Sequence, residues 1–220
     1  MATVMSKMGI LNGMVFDIAE IGLLLIAILL AMGLHEAMHA FTSHWLGDST
    51  AHEAGRLTLN PLKHIDTLTT VLLPLGLVLL GLQPFFIAKP VPFDPDNVRH
   101  EEFGIALVGV AGPLTNLFLA ILAAVLLRTV GAPGADLIAR FLLIFLQVNI
   151  GFFVFNMIPF PPLDGSRLLY AFAPEPLQKV MLTIEAYGFT SILIFMFLLY
   201  PVISPITGNV ANWLFMTLLR

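Results

Sequence analysis

His35, Glu36 and His39 form an H-E-x-x-H run inside an apolar stretch from about Phe16 to Leu46. Residues i and i+4 share a helix face, so both imidazoles can offer a ring nitrogen to one metal ion. Glu36 lies about 100° round the helix from His35. That offset makes it a poor further ligand, but lets its carboxylate take a proton from a water whose pKa the metal lowers. Two histidines and a glutamate placed idly in lipid would cost about several kcal/mol, so the run reads as part of a hydrolytic zinc centre. The chain has no cysteine, so the ligands must be His, Asp or Glu.

A catalytic zinc normally takes three protein ligands and a water. The longer motif with a third histidine fails, because Thr42 stands at its glycine and Trp45 at its histidine. His44 is about 140° off the motif's face. Glu53, soon after the helix, is a reserve candidate. The stronger candidate is Asp164, at the end of a later apolar helix in Pro159-Phe160-Pro161-Pro162-Leu163-Asp164-Gly165. An ordinary turn aspartate, or an N-cap for a helix over Ser166–Phe172, accounts for Asp164 equally well.

The elements that must carry these groups are apolar. The chain is 58% hydrophobic and 11% charged, with a mean hydropathy of +0.94, whereas soluble domains carry about 25% charged residues. This predicts a polytopic, all-α integral membrane protein with one domain over residues 1–220. The net charge is −4 and no basic cluster is present, which argues against a nucleic-acid partner. No polar stretch approaches the roughly 50 residues a soluble sensor domain needs, and the motif-bearing first helix does not read as a removable signal.

Apolar segments run over Phe16–Leu46, Leu68–Leu82, Phe103–Leu127, Leu137–Ile158, about Val180–Tyr200, and Pro201–Leu219, predicting five to six transmembrane helices. Leu68–Leu82 is short and broken by Pro74 and Gly76, so it reads as re-entrant. Prolines 84, 90, 92 and 95 favour extended backbone, which suggests a small membrane-associated β element near 84–95. Lys89–Pro92 could add a strand to an extended substrate or be a plain connection. Asn149 and Asn156 share one face of the fourth apolar segment, where they line the site or bond between helices.

The chain resembles the site-2 protease family of intramembrane zinc metalloproteases (peptidase family M50), in its short form without PDZ or CBS domains. The resemblance rests on H-E-x-x-H and on the downstream N-x-x-P-x-x-x-L-D-G from Asn156 to Gly165. It extends to Gly55–Asp66, Lys89–Pro92 and Gly112-Pro113-Leu114-Thr115-Asn116, in order over about Gly33–Leu169. Asp66-Thr67-Leu68-Thr69 departs from the subtype's usual Asp-Pro-x-Gly. The resemblance implies Asp164 as third zinc ligand, Glu36 as general base and Asn116 as a substrate or transition-state contact. It implies one Zn2+ per chain, a transmembrane protein or peptide substrate, and a prokaryotic plasma membrane. The catalytic core would span about 16–170, followed by C-terminal helices over about 179–219.

The motifs also constrain topology. H-E-x-x-H lies near the end of the first helix and L-D-G at the end of the fourth segment. They can share one ion only if those two helices run parallel, so Leu68–Leu82 must not cross. With five spans, seven Lys and Arg fall on the site's side and three on the other. The positive-inside rule then puts the site and the C-terminus in the cytoplasm. A transporter or a non-proteolytic metal-binding membrane protein is the alternative. A transporter usually carries paired broken helices from an internal repeat, and none is found. A catalytically dead relative would be expected to lose Glu36, which is present.

Overall fold

The computed structural model describes residues 18–81, 85–130 and 137–220. Lys7, Phe16 and Pro84, used in the sequence expectations, lie outside them. Among the described residues there are helices and turns but no strand. Four helices are long and apolar enough to cross a membrane. They are α1 (Ile18–Trp45), α3 (Glu101–Val130), α4 (Leu137–Asn156) and α7 (Phe189–Leu219). Between them lie α2 (Thr67–Leu79), α5 (Gly165–Phe172) and α6 (Glu175–Ala186).

Among the described residues four spans are therefore found where five to six were expected. The expected segment at Val180–Tyr200 is broken at Tyr187–Gly188, and its second half joins the last segment in one helix of 31 residues, with no turn after Tyr200. Pro201 falls at a helical position near the start of its segment, and Pro205 is accommodated inside the helix. In lipid, a helix keeps its backbone hydrogen bonds internal, which favours continuation over a break. The expected β element also does not form among the described residues. Residues 85–94 are extended but pair with turns and side chains instead of a strand.

Three contacts at different levels show that α1 and α4 run parallel. Near their starts, Arg140 Nη2 meets Glu20 Oε1 at 2.5 Å. Midway, Ala27, Ile28 and Ala31 pack on Val148. Farther along, His35 of α1 and Asp164, just past the end of α4, approach to 3.0 Å. α3 runs antiparallel between them, and its Ala120, Ala123 and Ala124 admit Leu142, Leu146 and Ile150 of α4 closely. At the far end, Arg128 Nη2 donates to Leu218 O at 3.0 Å, so α7 finishes on the face opposite the histidines. The C-terminus thus stands across the bundle from them, contrary to the five-span expectation. The two-segment reading of residues 180–219 added a crossing that the single helix removes.

α2 enters and leaves on one side. Its 13 or so residues span about 20 Å, short of the roughly 30 Å hydrocarbon layer. Thr69 and Thr70 near its start donate through Oγ1 to Ile87 O at 3.1 and 2.7 Å. The exit of the loop is thereby tied to its entrance. Asp66 starts the helix by accepting Leu68 N–H and Thr69 N–H, both at 2.9 Å. Those bonds, the Thr69 amide first, hold its carboxyl below the usual carboxylate range.

α1 ends in a Schellman turn, with Gly47 N–H on His44 O and Asp48 N–H on Ser43 O, each at 3.0 Å. Gly47 has φ +107, where a side chain would strain the backbone. The turn leaves Asp48 fully buried, accepting from Thr50 and from the Asp94 amide. This stop fixes the end of the motif helix against the chain that returns past Asp94.

Candidate metal centre

His35 and His39 lie one turn apart on α1, both nearly buried, and their Nε2 atoms are 3.0 Å apart. Asp164 Oδ2 lies 3.0 Å from His35 Nε2 and 3.3 Å from His39 Nε2. Among the described residues this is a group of three whose ligand atoms all fall within 4.8 Å of one another. Asp164 does not cap α5, since its side chain makes no capping hydrogen bond. Of the two readings open in the sequence, the carboxylate follows the one directed at the histidines.

The other ring nitrogens decide what this group can hold. His39 Nδ1 is 2.7 Å from Val108 O, a carbonyl that can only accept, so Nδ1 carries the proton. His35 Nδ1 is 2.6 Å from Asn116 Oδ1. Neutral rings protonated at Nδ1 present lone pairs at both Nε2 atoms, and a carboxylate oxygen joins them. Three acceptors thus converge with no donor among them, which is repulsive unless a cation sits between. Two imidazole nitrogens and a carboxylate oxygen form a zinc donor set, so the residues fit the metal the sequence implies.

Gly112 of α3 makes this approach possible. A Cβ there would stand 2.4 Å from His39 Nε2 and 2.7 Å from His35 Nε2. Gly165 does the same for the acid, since a Cβ there would meet Met157 C and O at 2.5 Å. Each motif glycine therefore marks a place where backbone presses on the centre or on the turn that carries Asp164.

Glu36 is half-buried beside the histidines, and its Oε2 accepts Val91 N–H at 3.2 Å. Val91 belongs to an extended strap that crosses this face. Lys89 N–H donates to His64 O at 3.0 Å, and Asp94 N–H to Asp48 Oδ2 at 3.1 Å. Buried Arg56 donates to the carbonyls of Lys63, Lys89 and Pro90. Arg167, on α5 three residues after Asp164, places its guanidinium 4.2 Å over the Phe93 ring. Pro90 and Pro92 have no N–H, and Lys89 and Val91 spend theirs within the chain. Between residues 89 and 92 the backbone N–H groups are thus all absent or engaged within the chain.

Among the remaining candidates, Asn116 and Asn149 are fully buried. Asn116 Nδ2 donates to Ala31 O at 3.2 Å and to Asn149 Oδ1 at 2.9 Å. With His35 on Oδ1, both amide protons and one side of the amide oxygen of Asn116 are engaged inside the protein. Asn156 donates to Phe152 O in its own helix at 3.1 Å. Glu53 is exposed and accepts Ser49 Oγ–H at 2.7 Å, away from the cluster. Sequence reasoning missed Val108, Arg56 and Ala31. Val108 and Ala31 act through carbonyls that no side chain advertises, although Pro113 marks an irregular helix close to Val108.

Apolar spanning-length helices around a buried His–His–Asp group define a membrane metalloprotein with a hydrolase motif. The chain is 35% identical over 178 residues to putative zinc metalloprotease YwhC of Bacillus subtilis, covering 78% of each protein. It is 29% identical over 194 residues to putative zinc metalloprotease Rip2 of Mycolicibacterium smegmatis, covering 85% of this chain and 70% of that protein. A Mycobacterium tuberculosis Rip2 of the same description is 30% identical over 192 residues, with the same coverage. No family model and no solved structure matches the chain. The chain belongs to the site-2 protease family of zinc metalloproteases. Its cofactor is zinc, and the His35–His39–Asp164 group is where a metal ion could be held.

Proposed function

We propose that this protein is an intramembrane zinc endopeptidase that cuts peptide bonds in or near the transmembrane segments of other membrane proteins, in regulated intramembrane proteolysis. The observation that carries the reading is the convergence of two Nε2 lone pairs and a carboxylate oxygen inside an apolar bundle, with Glu36 adjacent. His35, His39 and Asp164 hold the metal. When bound, zinc supplies a Lewis acid that lowers the pKa of a water and polarises the scissile carbonyl. Glu36 takes the proton of the attacking water as the oxygen–carbon bond forms. It then delivers that proton to the leaving nitrogen as the carbon–nitrogen bond breaks. Glu36 is kept in place by Val91 N–H on one carboxylate oxygen, which leaves the other for the proton.

The substrate must enter as extended chain, because a helix hides its carbonyls in its own hydrogen bonds. The test is cleavage of a panel of single-span membrane proteins by purified protein, with cut sites mapped by mass spectrometry. Cuts within or beside the apolar segment support the reading, and cuts confined to soluble domains refute it. Asp164→Ala is expected to lower bound zinc from one per chain to well below one, read by elemental analysis. Undiminished zinc in that variant would remove Asp164 from the ligand set.

We place the site on the cytoplasmic side of a prokaryotic plasma membrane. Arg56, Lys63, Lys89, Arg99, Arg167 and Lys179 belong to the site's face, against Arg128, Arg140 and Arg220 on the other. That asymmetry is the positive-inside signature. Reporters inserted at Lys179 and fused after Arg220 are expected to read opposite sides, with Lys179 cytoplasmic. Signals from the same side would refute the four-span arrangement.

A further inference from the structure

The two histidines are steered by different kinds of partner. Val108 O holds His39, and a backbone carbonyl is the same whatever side chain stands there. His35 is steered by side chains alone, through a buried series that starts two residues away from the ring. Asn149 Nδ2 donates to Phe145 O at 2.8 Å. That turns Asn149 Oδ1 toward Asn116, whose Nδ2 donates to it at 2.9 Å and to Ala31 O at 3.2 Å. Asn116 Oδ1 then has to face His35 Nδ1, at 2.6 Å. Phe145 O and Ala31 O can only accept, so they set the polarity of the whole series. A flipped Asn116 amide would set Oδ1 against Ala31 O and Asn149 Oδ1, and would offer an N–H to His35 Nδ1. His35 would then carry its proton on Nε2, where the lone pair for the metal has to be.

We infer that Asn149, which lies outside the His35–His39–Asp164 group, is a positioning residue for the metal centre: it fixes the amide of Asn116 and, through it, the tautomer of His35. This deepens the proposed function and rests on His35 being a metal ligand. Partners of this kind typically govern metal affinity by about 10- to 100-fold. Asn149→Leu keeps the branched shape, with bulkier methyls, but removes the acceptor and the donor, leaving Ala31 O alone to hold the Asn116 amide. Asn149→Asp, protonated at this buried position, supplies a C=O for Asn116 and an O–H for Phe145 O, and so restores both bonds.

The experiment measures zinc affinity by competition with a chelator, using the full-length protein in detergent. It compares wild type, His35→Ala, Asn149→Leu and Asn149→Asp. Zinc binding by Asn149→Leu is expected to weaken by about tenfold or more, and by Asn149→Asp to stay within about threefold of wild type. Wild-type affinity in Asn149→Leu, or an equal loss in Asn149→Asp, would overturn the inference. If His35→Ala binds zinc as tightly as wild type, the ligand assignment has failed instead. A second measurement does not depend on any variant folding. In zinc-loaded wild type, 15N shifts of His35 are expected to report a proton on Nδ1 and metal on Nε2, and metal ligation through Nδ1 would refute the relay.

Discussion

Glu36→Gln is expected to leave one zinc bound per chain and to lower the rate of membrane-substrate cleavage by about 10²- to 10⁴-fold, the usual contribution of a general base. The two parts of this result separate because the side chain has no place in the His–His–Asp group. Glutamine has the same shape and can still accept Val91 N–H through its amide oxygen, so the strap is expected to stay in place. It cannot take a proton from water at neutral pH. Single-turnover cleavage and elemental analysis on the same preparation check both halves. Loss of zinc in Glu36→Gln would place Glu36 among the ligands. Undiminished cleavage would assign the base elsewhere, and equal inertness of both proteins on a broad panel would remove the protease reading.

Gly112→Ala is expected to abolish high-affinity zinc binding, by more than about 100-fold, with helix content unchanged. Alanine in place of glycine normally favours a helix interior by about 0.5–1 kcal/mol, so backbone propensity points the other way. The contact geometry decides the sign. The added Cβ would meet His39 Nε2 at 2.4 Å and His35 Nε2 at 2.7 Å, directly on the atoms that face the metal. Relief requires rotating both rings or moving α3 away from α1. Either movement loosens His39 Nδ1 from Val108 O and His35 Nδ1 from Asn116. Circular dichroism and chelator competition read the two effects apart. Zinc affinity within threefold of wild type would show that the helices separate at little cost.

The sequence carried the chemistry of the site much better than its surroundings. His35, Glu36 and His39 were legible because spacing on one helix maps directly onto one face. Asp164 was legible as a candidate but balanced against a cap, and the resemblance tipped that balance. The topological demand that α1 and α4 run parallel was also derivable, since an ion shared by two helix ends leaves one geometry. For Asn116 the resemblance implied a substrate or transition-state contact, and its place in a buried hydrogen-bond series was not legible in the sequence. In the structure its amide meets His35, Ala31 and Asn149, all three on two other helices, α1 and α4.

The C-terminal region was misread for a different reason. Two apolar runs flanking Tyr200 and Pro201 look like two helices when hydropathy and proline are the only signals. Near the start of a helical segment a proline lacks only an amide that would be unpaired anyway, so the chain continues as one helix. The side of the bundle on which Arg220 ends follows from that continuity.

By itself, the sequence determined that this is a membrane protein with two histidines and a glutamate at metal-motif spacing in an apolar helix, and it pointed to a distant acid on the same face. Those conclusions depend on residue type and on spacing within single helices, which the chain fixes locally. Only the tertiary structure decided which nitrogen of each histidine faces the centre, because the atoms that fix the tautomers are Val108 O and Asn116 Oδ1 on another helix. It also decided that Gly112 is the surface on which both rings rest. Such contacts arise between residues about 70 to 80 positions apart, and no periodicity in the sequence encodes which carbonyl meets which ring.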